Sequence, residues 1–289
     1  MAKKVKIIYS PKCLEYYSPE HPESPDRVRN SYEFLKEKGY EFVELSPCTK
    51  EDALLVHSKE HFGRVKSGNF YDADTPSLPN IFEYVVVSVE AAIKAARLCS
   101  KNVFTFSLMR PPGHHAGKDS IEGFCYFNNL AIAVEKVMRE KKFSRAAIVD
   151  IDCHHGNGTQ DIFYGRKNVL YVSLHQIGIY PGSGYESSLN CINYPLLSGT
   201  GEEEYLEKFN SALEKIKVFN PELIAVSAGF DTYKKDPLCS LKLEVGSYRI
   251  IGKKLKQINL PLFAVLEGGY SEDLPQCIYS FLEGLKGKQ

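Results

Sequence analysis

The chain has 289 residues, 43% hydrophobic and 25% charged, and its 36 basic residues balance 36 acidic ones. A chain of this length can bury roughly 75% of its unfolded surface, while zero net charge leaves no footprint for nucleic acid, so a basic partner would have to be drawn by local acidity. No segment approaches the roughly 18 uninterrupted apolar residues of a membrane span, and the first residues lack the apolar stretch of a signal peptide.

Short β-rich runs alternate with amphipathic patterns of helical period. In chain order the sequence predicts a strand over 5–9, a helix over 25–38 opened by Pro25 and Asp26 and stopped near Gly39, and a helix over 81–99. A strand over 103–108, a helix over 128–141 and strands over 146–149 and 169–174 follow. A helix over 202–218, a strand over 223–227, a helix over 244–257, a strand over 262–266 and a helix over 275–285 complete the pattern. Continuous apolar strands separated by helices imply an α/β fold, a three-layer α/β/α arrangement with a mostly parallel sheet, here read as one domain over 1–289. The eight cysteines include no C-x-x-C pair. That spacing predicts reduced thiols in a cytoplasmic protein, not a disulfide framework or a zinc knuckle.

Five strands are followed by polar, chemistry-bearing residues. After 103–108 comes Arg110-Pro111-Pro112-Gly113-His114-His115, and after 146–149 comes Asp150-Ile151-Asp152-Cys153-His154-His155-Gly156-Asn157-Gly158. His175 with a glycine-rich loop, Ala228-Gly229-Phe230-Asp231 and Glu267-Gly268-Gly269-Tyr270 follow the other three. Ligands of open parallel sheets bind outside the carboxyl ends of the strands, so these residues should converge. In extended chain, Asp150, Asp152 and His154 share one face. Asp152, His154 and Asp231 are ligand types that zinc accepts, and three protein ligands leave a position open. A lone aspartate after a strand more often caps a helix; the conjunction of motifs favours a metal. His114 and His115 are candidates for acid and base. Tyr270, after two glycines, is a candidate donor to a developing oxyanion. Gly123, Phe124 and Tyr180 are candidates for an apolar sleeve, and Cys125 or Cys153 for a nucleophile, although their apolar flanks favour buried thiols.

Taken together these motifs resemble the zinc-dependent deacetylases of the arginase–deacetylase superfamily, the histone deacetylase and acetylpolyamine amidohydrolase family. The similarity runs from His21-Pro22-Glu23-Ser24-Pro25-Asp26-Arg27 through Ala53-Leu54-Leu55-Val56-His57 and Asp74-Thr75-Pro76 to Glu267-Gly268-Gly269-Tyr270. Asn157 and the Asp74-Thr75-Pro76 segment resemble class II-like and prokaryotic members. The resemblance implies one zinc ion on Asp152, His154 and Asp231, with His114 and His115 as the proton-transfer pair and Tyr270 as oxyanion donor. It implies potassium held by Asp150, Ser173 and oxygens of Asp152, His154 and Leu174, with a second potassium near Phe163, Arg166, Val169 and Asn190. Arg27 would lie near an acetate exit. The reaction implied is hydrolysis of an N-acetyl amide, of acetyl-lysine in a protein or of an acetylated polyamine or small amine. Asp72 and Asp74 are candidates for holding substrate backbone or amine. On this pattern His114 pairs with the charged Asp150 and His115 with the neutral Asn157, which makes His114 the more basic. Two other readings stay open, an arginase-like binuclear manganese hydrolase and a non-catalytic acetyl-group binder.

Overall fold

The computed structural model describes residues 3–45 and 50–287, so Cys48 lies outside the described residues. Among the described residues eight strands form one sheet in which every neighbouring pair is parallel. They are β1 (Lys4–Ile8), β2 (Glu41–Val43), β3 (Val103–Ser107), β4 (Ala146–Asp150), β5 (Val169–Gln176), β6 (Cys191–Leu196), β7 (Leu223–Ala228) and β8 (Leu262–Leu266). Their spatial order is β2-β1-β3-β8-β7-β4-β5-β6. Strands β4, β5, β7 and β8 are buried along their whole length, the condition of a parallel sheet covered on both faces.

Eight α-helices among the described residues supply the cover: α1 (Pro25–Glu37), α2 (Lys59–Ser67), α3 (Ile81–Leu98), α4 (Asn129–Arg139), α5 (Asn157–Phe163), α6 (Glu202–Phe219), α7 (Val245–Gln257) and α8 (Leu274–Lys286). One packed group joins α3 to α4, and another joins α8 to α1 and α7. Local chemistry fixes several ends. The Ser58 hydroxyl accepts from the His61 N–H at the start of α2, and Glu244 with Ser247 closes a capping box on α7. Three glutamates open α6, where the helix dipole favours anions.

Compared with the sequence reading, the sheet is wholly rather than mostly parallel, and β2, β6, α2 and α5 are additional. All four are short. The edge strand β6 contains Pro195, which is tolerated there because an edge leaves some N–H groups without ladder partners. Strand β5 also runs on to Gln176, so His175 belongs to the sheet and not to the loop after it. The expectation of reduced thiols throughout is overturned. Cys153 and Cys239 form a disulfide, while Cys13, Cys99, Cys125, Cys191 and Cys277 are free and buried. The two partners stand 86 residues apart, in the loops after β4 and β7; those strands are adjacent in the sheet. Sequence spacing carries no trace of such a pairing.

The register carries the site. Ser107, Val265, Ser227, Asp150 and Ser173 lie on one line across β3, β8, β7, β4 and β5. Beyond that line five strands give way to loops on the same edge, and the polar motifs begin.

Candidate metal centre and catalytic cavity

Strand β4 ends at Asp150, and the loop after it turns back on itself through hydrogen bonds to its own carboxylates. Asp150 Oδ1 accepts from the Asp152 N–H at 3.2 Å, and Asp152 Oδ1 accepts from the His154 N–H at 2.9 Å. Asp231, from the loop after β7, accepts the Cys153 N–H on Oδ1 at 2.7 Å. Gly268, after β8, donates its N–H to Asp152 Oδ2 at 2.8 Å. Backbone donors thus hold one oxygen each of Asp150 and Asp231 and both oxygens of Asp152. The side chains so fixed converge: His154 Nδ1 lies 2.9 Å from Asp231 Oδ2 and 3.2 Å from Asp152 Oδ1. Ligand atoms of Asp152, His154 and Asp231 lie within 4.8 Å of one another, the one such group among the described residues. Two fully buried carboxylates and an imidazole aimed at one point fit a zinc ion, whose preferred donors these are.

The glycines in these motifs are positional. A Cβ on Gly156 would strike the Asp150 carboxylate and the Tyr171 hydroxyl, and one on Gly229 would strike Asp152. One on Gly268 would come to 2.5 Å from Asp231 Oδ2 and 2.6 Å from Asp152 Oδ2.

The histidine pair follows β3. Backbone N–H groups of Gly113 and His114 donate to Glu267 Oε2 at 2.7 and 3.2 Å, and the Ser227 hydroxyl donates to Oε1. His114 Nδ1 lies 3.1 Å from Asp150 Oδ2, which also accepts from Tyr171 Oη at 3.0 Å, and its Nε2 lies 3.8 Å from Asp152 Oδ1. His115 Nδ1 lies 2.7 Å from Asn157 Oδ1. Burial opposes a charge on His114, but the Asp152 and Asp150 carboxylates outweigh it and push the imidazole up to about 10. Burial and the neighbouring His114 hold His115 well below the ordinary histidine range. Burial also pushes Glu267 up to about 7.

A cavity of about 370 Å³ opens above this floor, lined by His114, His115, His154, Gly268, Tyr270, Gly123, Phe124, Tyr180, Asp74 and Leu238, among others. Tyr270 donates its N–H to Asp236 Oδ2 at 2.6 Å, and its ring lies under the Arg27 guanidinium and edge-on to Phe124. Burial keeps its phenol protonated far above neutral pH.

Most expected site residues therefore gather around one cavity; the exception among the channel candidates is Asp72. Asp72 does not line it and instead accepts the Asp74 N–H at 3.1 Å. Arg27, expected near an exit and not in the lining, donates from its guanidinium to Gly269 O and Glu267 O at 2.6 Å each and to Glu23 Oε1 at 3.1 Å. His155 is tied to Ser183 and Gln160, away from the ligand group. At the second potassium position, the carbonyls of Phe163 and Val169 both accept from the Asn190 amide. Both candidate thiol nucleophiles are also engaged or inert, Cys153 in its disulfide and Cys125 by burial that raises its thiol far above neutral pH. Sequence reasoning missed Glu122, Tyr171 and Asp236, whose neighbours lie far away along the chain, and gave no role to Glu267, although it directly follows a strand.

Residues 21–285 match the histone deacetylase domain. The chain is 37% identical to a probable deacetylase of Archaeoglobus fulgidus over 92% of this chain and 81% of that one. It is 35% identical to a histone deacetylase-like amidohydrolase of Pseudomonas aeruginosa, over 92% of this chain and 77% of that protein. With an acetylpolyamine amidohydrolase of Mycoplana ramosa the figures are 36%, 74% and 65%. The crystal structure of an acetylpolyamine aminohydrolase from Burkholderia pseudomallei superposes with a TM-score of 0.92 at 25% identity, covering 98% of this chain and 99% of that one.

Proposed function

Because the chain belongs to the histone deacetylase domain family, we propose that it hydrolyses an N-acetyl amide and releases acetate, with one zinc ion on Asp152, His154 and Asp231. The observation that carries this reading is the convergence of two buried carboxylates and an imidazole at the floor of a cavity also lined by His114, His115 and Tyr270. When bound, zinc supplies Lewis acidity, polarising a carbonyl and lowering the pKa of a water from 15.7 to about 7.

The protein's own groups divide the remaining work. With Nδ1 directed at the Asn157 carbonyl oxygen, His115 keeps Nε2 free to take a proton. Between two carboxylates His114 is held cationic, suited to stabilising negative charge and to protonating a leaving amine. The Tyr270 phenol, protonated through the working pH range, donates to the developing oxyanion. Gly123, Phe124 and Tyr180 form walls that fit a narrow alkyl chain, and Asp74 offers a carboxylate to its distal amide or ammonium. Asp150 and Ser173, opposite each other on β4 and β5, support a potassium site that would also use oxygens of Asp152, His154 and Leu174. One sheet and one core support reading the chain as a single catalytic domain.

The test is acetate release by purified, zinc-loaded protein from acetyl-lysine peptides, acetylated polyamines and longer acyl-lysines, with metal counted per chain. Turnover on at least one acetylated substrate at one zinc per chain is expected. Two manganese ions per chain, or binding of acetyl-lysine with no turnover of any substrate, would overturn the reading.

A further inference from the structure

Glu122 lies outside the ligand group and the cavity lining, yet it touches both the proton-transfer apparatus and the channel wall. It begins a tight two-residue turn: Glu122 and Cys125 exchange both backbone hydrogen bonds, at 3.2 and 3.0 Å. Between them Gly123 and Phe124 have φ of 58° and 69°. Two successive positive φ values are the signature of a type I′ turn, and the Phe124 N–H is anchored on the Thr75 hydroxyl. The turn fixes where the Glu122 side chain points. Its Oε1 accepts from Asn157 Nδ2 at 3.2 Å, and its Oε2 accepts from Tyr180 Oη at 3.0 Å. Tyr180 in turn meets the His115 ring edge-on, centroids 5.0 Å apart.

We propose that Glu122 is a positioning residue that fixes the proton tautomer of His115 through Asn157. A carboxylate has no proton to give, so the Asn157 end facing Glu122 must be its NH2 group. The Asn157 oxygen then faces His115 Nδ1, and an oxygen can only accept. Nδ1 must carry the proton, and Nε2 is left as a lone pair. Without Glu122 an amide can turn over, present its NH2 to Nδ1 and invert the tautomer, which disables the ring as a base. An aspartate in place of Asn157 would need no such orienting, because either of its oxygens accepts. The kinetic consequence rests on the deacetylase reading; the tautomer does not.

The experiment joins ring-nitrogen NMR of 15N-histidine-labelled protein, with His115 assigned by its substitution, to kinetics on the acetylated substrate turned over fastest. The wild type should show His115 protonated at Nδ1 alone. Glu122→Ala should mix or invert the tautomer and lower kcat about tenfold, the scale of losing a partner that orients a functional histidine, with KM changed much less. Glu122→Gln, which can still accept from Asn157, should restore both. In the Glu122→Ala background, Asn157→Asp should raise kcat; in the wild type it should lower it, by setting two carboxylates side by side. A His115 tautomer unchanged by Glu122→Ala refutes the proposal. So does a Tyr180→Phe variant that reproduces the whole kcat loss, since the effect would then run through the channel wall. If no substrate is turned over, the functional reading fails while the tautomer result still decides this one.

Discussion

Arg27 offers the sharpest test of geometry against family expectation. Its three directed hydrogen bonds reach Gly269 O, Glu267 O and Glu23 Oε1. Arg27→Met keeps the apolar stem but strands two backbone carbonyls on either side of Gly268. An unpaired buried acceptor costs about 1–3 kcal/mol, so two amount to about 2–6 kcal/mol. The Glu23 carboxylate adds little to that loss, because Arg110 still holds it through Nε and Nη2, both at 2.8 Å. The central expectation is about 4 kcal/mol against the 5–15 kcal/mol typical of a folded domain, measured by urea unfolding. Turnover should fall with little change in KM, since the released loop carries Tyr270, whose ring Arg27 covers. Arg27→Lys should recover only part of both, as an ammonium cannot serve three fixed directions. If instead the arginine serves an acetate exit, its loss should alter product inhibition by acetate at unchanged stability. A stability loss under about 1 kcal/mol, small against the cost of even one stranded acceptor, would refute the reasoning.

Three further outcomes follow from the same coordinates. Tyr270→Phe should lower kcat about 10²–10³-fold, as removal of an oxyanion donor does, with substrate affinity and melting temperature nearly unchanged, because the ring keeps its contacts with Arg27 and Phe124. His57 accepts the Asn128 N–H on Nε2, pairs through Nδ1 with Gly117 O and stacks on His61, and burial followed by that neighbour pushes it down to about 3. Its folded value lies below the unfolded one, so the native state binds fewer protons and this contribution is present above about pH 6.5 and lost as pH falls toward 3. His57→Gln should therefore lose less stability on acidification than the wild type, by about 1.4 kcal/mol per pH unit in that window, and parallel curves would count against it. Thiol titration of unfolded, unreduced protein should find two fewer thiols than after reduction, as the Cys153–Cys239 bond requires; equal counts would remove that bond.

What the sequence made legible was periodic or contiguous. Long apolar strands such as 146–149 and 262–266 declared themselves, and the metal ligands followed because Asp152, His154 and Asp231 sit directly after strands. Strand β2, of three residues, and strand β6, interrupted by Pro195, carry too little alternation to be told from loop. Glu122 and Tyr171 stayed hidden for a different reason: each acts on a partner brought close only by the parallel crossovers, Asn157 in one case and Asp150 in the other. Arg27 was found by its motif, but its partners are backbone carbonyls, which a sequence cannot distinguish from one another. The disulfide likewise joins two loops whose adjacency depends on the strand order.

The crowded glycines have a consequence for how such a protein can change. At Gly156, Gly229 and Gly268 any side chain would push into the carboxylates that hold the floor, so those positions have no room to drift. The mouth is different. Asp74, Phe124, Tyr180 and Leu238 come from four separate connections, and each reaches the cavity without belonging to a strand. Depth and not chain position separates mouth from floor, because the connections that carry Phe124 and Leu238 also carry His114, His115 and Asp231. The connections that carry Asp74 and Tyr180 hold neither a ligand of the metal group nor a member of the histidine pair, so the mouth can be altered there while the floor stays the same.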